Sequence, residues 1–159
     1  MKKNLLLIVI FYFALIISSY GAASSGSSKS SNYDKGATII KKGKKLEEKG
    51  KIEKANKRYE KALEYLIKSN KEKPNQPDTL NYLGFALRKL GNFEEAEKYY
   101  LLGLNIKPDH YGINEYLGEL YITTDRINLA KERLEVLKNC NCEEYNELKE
   151  VIEKNYSNY

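Results

Sequence analysis

Apolar residues fall into three regimes along this chain. Residues 5–17, LLLIVIFYFALII, are an unbroken apolar run behind the short positive start MKKN. Residues 24–32, SSGSSKSSN, offer nothing apolar to bury and read as a flexible leader. Beyond residue 35 the apolar positions recur at helical spacing among Lys, Glu, Ala and Tyr, and Pro74, Pro77 and Pro108 fall between the helical runs. Tyr145, Leu148, Ile152 and Tyr156 close the chain as one stripe at three- and four-residue spacing, which predicts a final helix. Asn141 and Glu144 fit its N-cap and returning carboxylate.

The middle of the chain repeats. Shifted by 34 residues, Tyr82-Leu83-Gly84 falls on Tyr116-Leu117-Gly118, Leu87 on Tyr121, Phe93 on Ile127, Ala96 on Ala130 and Tyr100 on Leu134. Shifted by 41, Gly43 falls on Gly84, Leu46 on Leu87, Gly50 on Gly91, Ala55 on Ala96 and Tyr59 on Tyr100. The seven extra residues sit in ALEYLIKSNKEKPNQ, so the second helix of the first unit should run about two turns longer. Glycine inside a helix costs about 1 kcal/mol against alanine, so Gly84 and Gly103 need a packing reason. Gly84 and Ala96 are the expected contact points between the two helices of a unit, with Gly118 and Ala130 their counterparts one unit on. Gly103 is the small position against which the next unit docks, and Gly91 ends a helix in the left-handed conformation.

This pattern resembles the tetratricopeptide repeat family. Leu80, Leu83, Gly84, Leu87, Gly91, Phe93, Ala96, Tyr100, Gly103 and Pro108 carry it best. The third unit has Asp125 at the turn glycine, and the first has Lys42 where the family has leucine. The resemblance implies an all-α chain of three helix-turn-helix units, 36–76, 77–110 and 111–144, stacked as a short right-handed solenoid. The last helix, running through 145–159, would cover the open end. The ending CEEYNELKEVI after YLGELY is similar to small exported bacterial tetratricopeptide proteins.

Charge and the N-terminus bear on location. The positive start, apolar run and small residues around Gly21 and Ala23 have the layout of a secretory signal, residues 1–23, followed by the leader 24–35. Extended to Ala23 the segment approaches bilayer-spanning length, so an uncleaved anchor is the alternative. From residue 35 to 73 there are 14 basic and 6 acidic residues, a net of +8; from 109 to 154 there are 6 and 11, a net of −5. Solvated helix faces account for such a distribution, as does steering of a partner.

No phosphate-binding loop, HExxH, G-x-S-x-G or spaced metal-ligand set occurs, so neither catalysis nor a cofactor is expected. His110 reads as a loop residue, and Glu94, Glu95, Glu143 and Glu144 as first-turn acids that favour the helix dipole. Cys140 and Cys142 are C-x-C rather than the redox C-x-x-C and lack companions for zinc. A local disulfide is the preferred reading, with an intermolecular bond, thiol exchange and metal binding as alternatives.

The resemblance implies a protein or peptide partner in the groove lined by the first helix of each unit. The matching positions are Ile40 and Lys44, then Asp78, Asn81, Phe85, Arg88 and Lys89, then Glu115, Glu119 and Ile122. Phe85 is expected to face the ligand, Asn81 to bond its backbone and Arg88 to hold a carboxylate. The family's carboxylate clamp is not supported, because its positions hold Ile40, Lys44, Tyr82, Gly112 and Tyr116. The sequence thus reads as an exported, non-catalytic adaptor of the bacterial cell envelope, most simply the periplasm. The alternative is a self-associating envelope component, membrane-bound if its N-terminal segment stays uncleaved. Nucleic-acid binding is not expected, since the lysine-rich faces lack interleaved aromatics.

Overall fold

The computed structural model describes residues 30–156. The signal or anchor segment, most of the serine-rich leader and the last three residues lie outside the described residues. Among the described residues seven helices run in order: α1 (Asn32–Glu47), α2 (Ile52–Glu72), α3 (Pro77–Lys89), α4 (Phe93–Ile106), α5 (Tyr111–Thr123), α6 (Ile127–Leu137) and α7 (Glu143–Tyr156). No strand occurs among the described residues. The helices pair as α1 with α2, α3 with α4 and α5 with α6, successive pairs stack, and α7 lies on α5 and α6. The result is an all-helical repeat solenoid closed by a terminal helix.

Local chemistry sets the boundaries. α1 begins four residues before the first unit assigned from the sequence, so Asn32 to Lys35 belong to a helix and not to the leader. Ser31 and Asp34 form a capping box: the Ser31 hydroxyl accepts from the Asp34 N–H at 3.1 Å, and the Ser31 N–H donates to the Asp34 carboxylate at 3.0 Å. Gly50 and Gly91 end α1 and α3 with φ of 67° and 82°. Asp125 takes the same left-handed turn at 58° without being glycine. α2 has 21 residues against 14 for α4, so the seven-residue insertion adds two turns to that helix. α7 opens at Glu143 rather than behind an Asn141 cap; Asn141 lies two residues earlier with φ of 50°. Cys140 and Cys142 are joined by a disulfide in that turn.

The core is a row of large side chains lying on helical glycines. A Cβ at Gly84 would sit 2.5 Å from Cε1 of Tyr100, a ring with no solvent exposure. Gly43 meets the Tyr59 ring in the same way. The partner of Gly84 is therefore Tyr100, one turn beyond the expected Ala96, which is itself fully buried. Ala130, its counterpart in the third pair, is fully buried as well. Gly103 lies under Ile113 of α5 and so admits the next pair. In that third pair Leu134 stands where a tyrosine stands earlier, and the side chain over Gly118 is Leu148 of α7. The terminal helix thus fills the place that the second helix fills elsewhere, with Leu148 and Ile152 buried.

These contacts oppose helix propensity at Gly84. Alanine gains about 1 kcal/mol as a helix former, but its methyl would press on a ring that has nowhere to move, which costs roughly 1–3 kcal/mol. Gly84→Ala is predicted to destabilise the protein by up to about 2 kcal/mol in urea unfolding, whereas a stabilising substitution would contradict this packing.

Candidate functional site

α1, α3 and α5 share one face, and the sequence stripes on it meet. Ile40, Lys44 and Glu47 follow each other on α1, Asn81, Phe85 and Arg88 with Lys89 on α3, and Gly112, Tyr116 and Glu119 on α5. Each stripe has helical spacing, so stacking aligns the three like rungs.

Phe85 is the centre of this face. It is 1% exposed, held edge-on by Tyr59 at 5.6 Å and tilted against Tyr116 at 4.9 Å between ring centroids. The expectation that Phe85 faces a ligand is therefore corrected. It belongs to the core because α1 and α5 both close over α3. Ile40, Asn81, Arg88, Glu115 and Ile122, also expected to line an open groove, are buried for the same reason. Asp78 remains largely exposed and lies away from the cluster, bonded to His110 at 2.9 Å. His110 is not a free loop residue. Its Nδ1 accepts from the Ile113 N–H and caps α5, which leaves the proton on Nε2 for Asp78.

Three cations surround the Phe85 ring: Lys44 Nζ at 5.7 Å, Arg88 Cζ at 5.6 Å and Lys89 Nζ at 5.6 Å. Two carboxylates answer them from neighbouring helices. Glu119 of α5 lies 2.6 Å from Arg88 Nη2, and Glu47 of α1 lies 2.7 Å from Lys89 Nζ. Burial works against the charge of Glu47, but bonds from Lys89 and the Tyr59 hydroxyl outweigh it and hold its pKa below the usual range. Lys44 donates to the Tyr116 hydroxyl at 3.2 Å, so a side chain of the first pair reaches the third directly. Lys89, Glu47 and Glu119 remain partly exposed. Glu47, Tyr59 and Tyr116 escaped the sequence reading as members of this cluster. The spacing from Lys44 to Glu47 was the available signal for the first of them.

Glu115 closes the far side. It is 2% exposed, and its Oε1 has no partner. Its carboxyl meets that of Glu147 on α7. Burial first, then the bond to Glu147 and the nearby charge of Glu119, pushes its pKa up to about 10, with Lys44 opposing. Glu115 therefore keeps its proton at neutral pH and can donate it to Glu147. Among the described residues no group of three or more His, Cys, Asp or Glu is placed to hold a metal ion. No described helix is long and apolar enough to cross a membrane.

The proton on Glu115 has a thermodynamic consequence. In the unfolded chain the group ionises near its ordinary pKa of about 4.3, while in the fold it stays protonated to about 10. Between these values the folded state binds more protons than the unfolded state, so this group's stabilising contribution falls as pH rises. Glu115→Gln removes the titration. Its stability relative to the unaltered chain should rise steadily between about pH 5 and about pH 9; a difference independent of pH would contradict the burial of a protonated carboxyl.

Comparison with known proteins places this arrangement. A tetratricopeptide repeat profile matches residues 37–109. Among curated proteins none matches the chain. A tetratricopeptide repeat protein from Parabacteroides merdae ATCC 43184 superposes with a TM-score of 0.55 at 18% identity, over 80% of this chain and 61% of that one. The chain thus spans 61% of that protein's length. The MamA RS-1 ArsTM double mutant gives 0.53 at 20% identity, over 78% and 67%. The Yersinia enterocolitica type III secretion translocator chaperone SycD, in an alternative dimer, gives 0.50 at 15% identity, over 78% and 90%. At these identities the structural likenesses speak for the fold alone. The repeat pattern, the profile match and the stacked helix pairs agree that residues 37–109 of this chain are tetratricopeptide repeats.

Proposed function

We propose that this protein is a non-catalytic adaptor that binds another protein or a peptide in the bacterial cell envelope. Tetratricopeptide repeat proteins are generally repeat scaffolds without catalysis, and the fold fits a protein-binding role. One observation carries the reading. The first helices of all three pairs bring Lys44, Lys89, Glu47, Glu119 and Tyr116 to one partly exposed face, where Lys44 bonds Tyr116, Lys89 pairs with Glu47 and Glu119 pairs with buried Arg88, over buried Phe85.

Such a face can exchange partners. A ligand carboxylate can take the place of Glu47 on Lys89, and a ligand donor the place of Lys44 on the Tyr116 hydroxyl. The aromatic layer beneath then needs no rearrangement, because Phe85 is already packed. The Yersinia relative in fold is a translocator chaperone, and attendance on another polypeptide is the kind of role proposed here. The envelope location rests on the sequence of residues 1–23, with its positive start, apolar run and small-residue end.

The test is crosslinking in cells followed by recovery from the envelope fraction. Lys44→Ala/Lys89→Ala removes two partly exposed cations, one bonded to the Tyr116 hydroxyl and one paired with Glu47, and partly exposed contacts of this kind contribute little to stability. Recovery of the partner is expected to fall about 10-fold or more, while recovery equal to the unaltered chain would remove this face from binding.

A further inference from the structure

Among the described residues no helical pair stacks on the outer face of the first pair, and a stripe of basic residues runs along it as far as Glu72. On α2, Lys54, Arg58, Lys61, Tyr65 and Lys68 follow at four- and three-residue spacing, which aligns them over about 21 Å of helix. All four cations are exposed and Tyr65 is partly so. Lys35 of α1 reaches the same ring. Its ammonium lies 5.8 Å from the Tyr65 centroid, with Lys61 at 5.5 Å and Lys68 at 5.8 Å. Lys61 is paired with Glu64 at 2.6 Å. Among the described residues, Lys35, Lys54, Arg58 and Lys68 have no carboxylate within ion-pair distance. Lys42 and Lys45 extend the basic surface along α1 and are exposed. Glu47, the partly buried acid of this pair, is turned to Lys89 in the other face.

We propose that this face docks on an anionic phospholipid surface. Three features select a bilayer over a folded partner. The cations are lysines but for Arg58, and lysine is a hydrated point charge suited to diffuse attraction, whereas forked recognition of a carboxylate or phosphate favours arginine. Contrary to the expectation that the lysine-rich faces carry no aromatic, the stripe holds one, the tyrosine Tyr65, whose ring is apolar and whose hydroxyl is polar, the character found at membrane interfaces. The chain entering α1 at Ser31 follows the apolar run 5–17 by fourteen residues, which span at most about 50 Å. An apolar run held in a bilayer would therefore keep the first pair, the one that bears the stripe, within reach of the lipid headgroups. Each lysine close to such a surface tightens binding about fivefold. This face is distinct from that of Lys44 and Lys89, so lipid binding here and partner binding there fail separately, although both readings use the N-terminal apolar segment.

Flotation of the full chain with phosphatidylcholine vesicles, with and without phosphatidylglycerol, tests this. The N-terminal apolar run contributes equally to both and the lysines before it are the same in every variant, so the quantity read is the part of the phosphatidylglycerol gain that the variants change. That gain is expected to vanish at about 1 M salt, where the screening length is about 3 Å. Lys54→Glu/Lys61→Glu/Lys68→Glu should lower it about 100-fold or more, while the charge-matched Lys131→Glu/Lys138→Glu/Lys149→Glu should keep most of it. If the triple variant fails to fold by circular dichroism, Lys54→Glu and Lys68→Glu singly should each lower the gain about fivefold or more. No gain from phosphatidylglycerol, or an equal loss in both triple variants, would overturn the proposal. So would salt-sensitive self-association in place of vesicle binding, which would make the acidic face of a second copy the occupant.

Discussion

A tyrosine ring laid on a helical glycine is the contact on which the remaining structure depends. Gly43 under Tyr59 and Gly84 under Tyr100 bring the two helices of a pair close enough for their alanines to be fully buried as well. A methyl at either glycine would push the helices apart and open the layer that Leu80, Leu83 and Leu117 close. The third pair shows the same constraint by its exception. With leucine at position 134 in place of tyrosine, the surface over Gly118 is covered by Leu148. The terminal helix is thus part of the third pair's core, and its polar side ends the stack.

The same close stacking decides the character of the functional face. Because α1 and α5 both approach α3, Phe85 is covered by Tyr59, Tyr116 and Lys44. Three cations and two carboxylates are then held over one ring. Burial alone would make such a cluster costly, and the partial exposure of Lys89, Glu47 and Glu119 lets water share the load. The face is packed and paired within the chain, so the partner proposed for it would trade ion pairs rather than fill an empty trough. Glu115 and Glu147 tie this face to α7, so its far edge is fixed by the helix that ends the stack.

Much of the fold was legible because its signals are local or periodic. The 34-residue period placed the helix pairs, Gly50 and Gly91 marked their turns, and the insertion in the first unit appeared as two more turns of α2. The start of α1 was hidden although Ser31 and Asp34 stand at capping-box spacing, because the serine run that ends at Ser31 has the composition of a flexible leader. The functional face was legible only as a set of positions. Spacing put Phe85 and Arg88 on the stripe that the family turns toward ligands. Spacing carries no record of Lys44 crossing to Tyr116, or of Glu119 rising to Arg88, since these contacts join residues far apart in sequence. The burial of Glu115 was hidden for the same reason, because the helix that covers it lies beyond the repeats.

Whether Phe85 is a ligand contact or the centre of the packed face decides between the two pictures of this surface. The direct measurement is the unfolding free energy of Phe85→Ala in the absence of any partner. A fully packed ring predicts a loss of about 3–5 kcal/mol. A loss within about 0.5 kcal/mol, as for a surface side chain, would contradict the closed face and return Phe85 to an open groove.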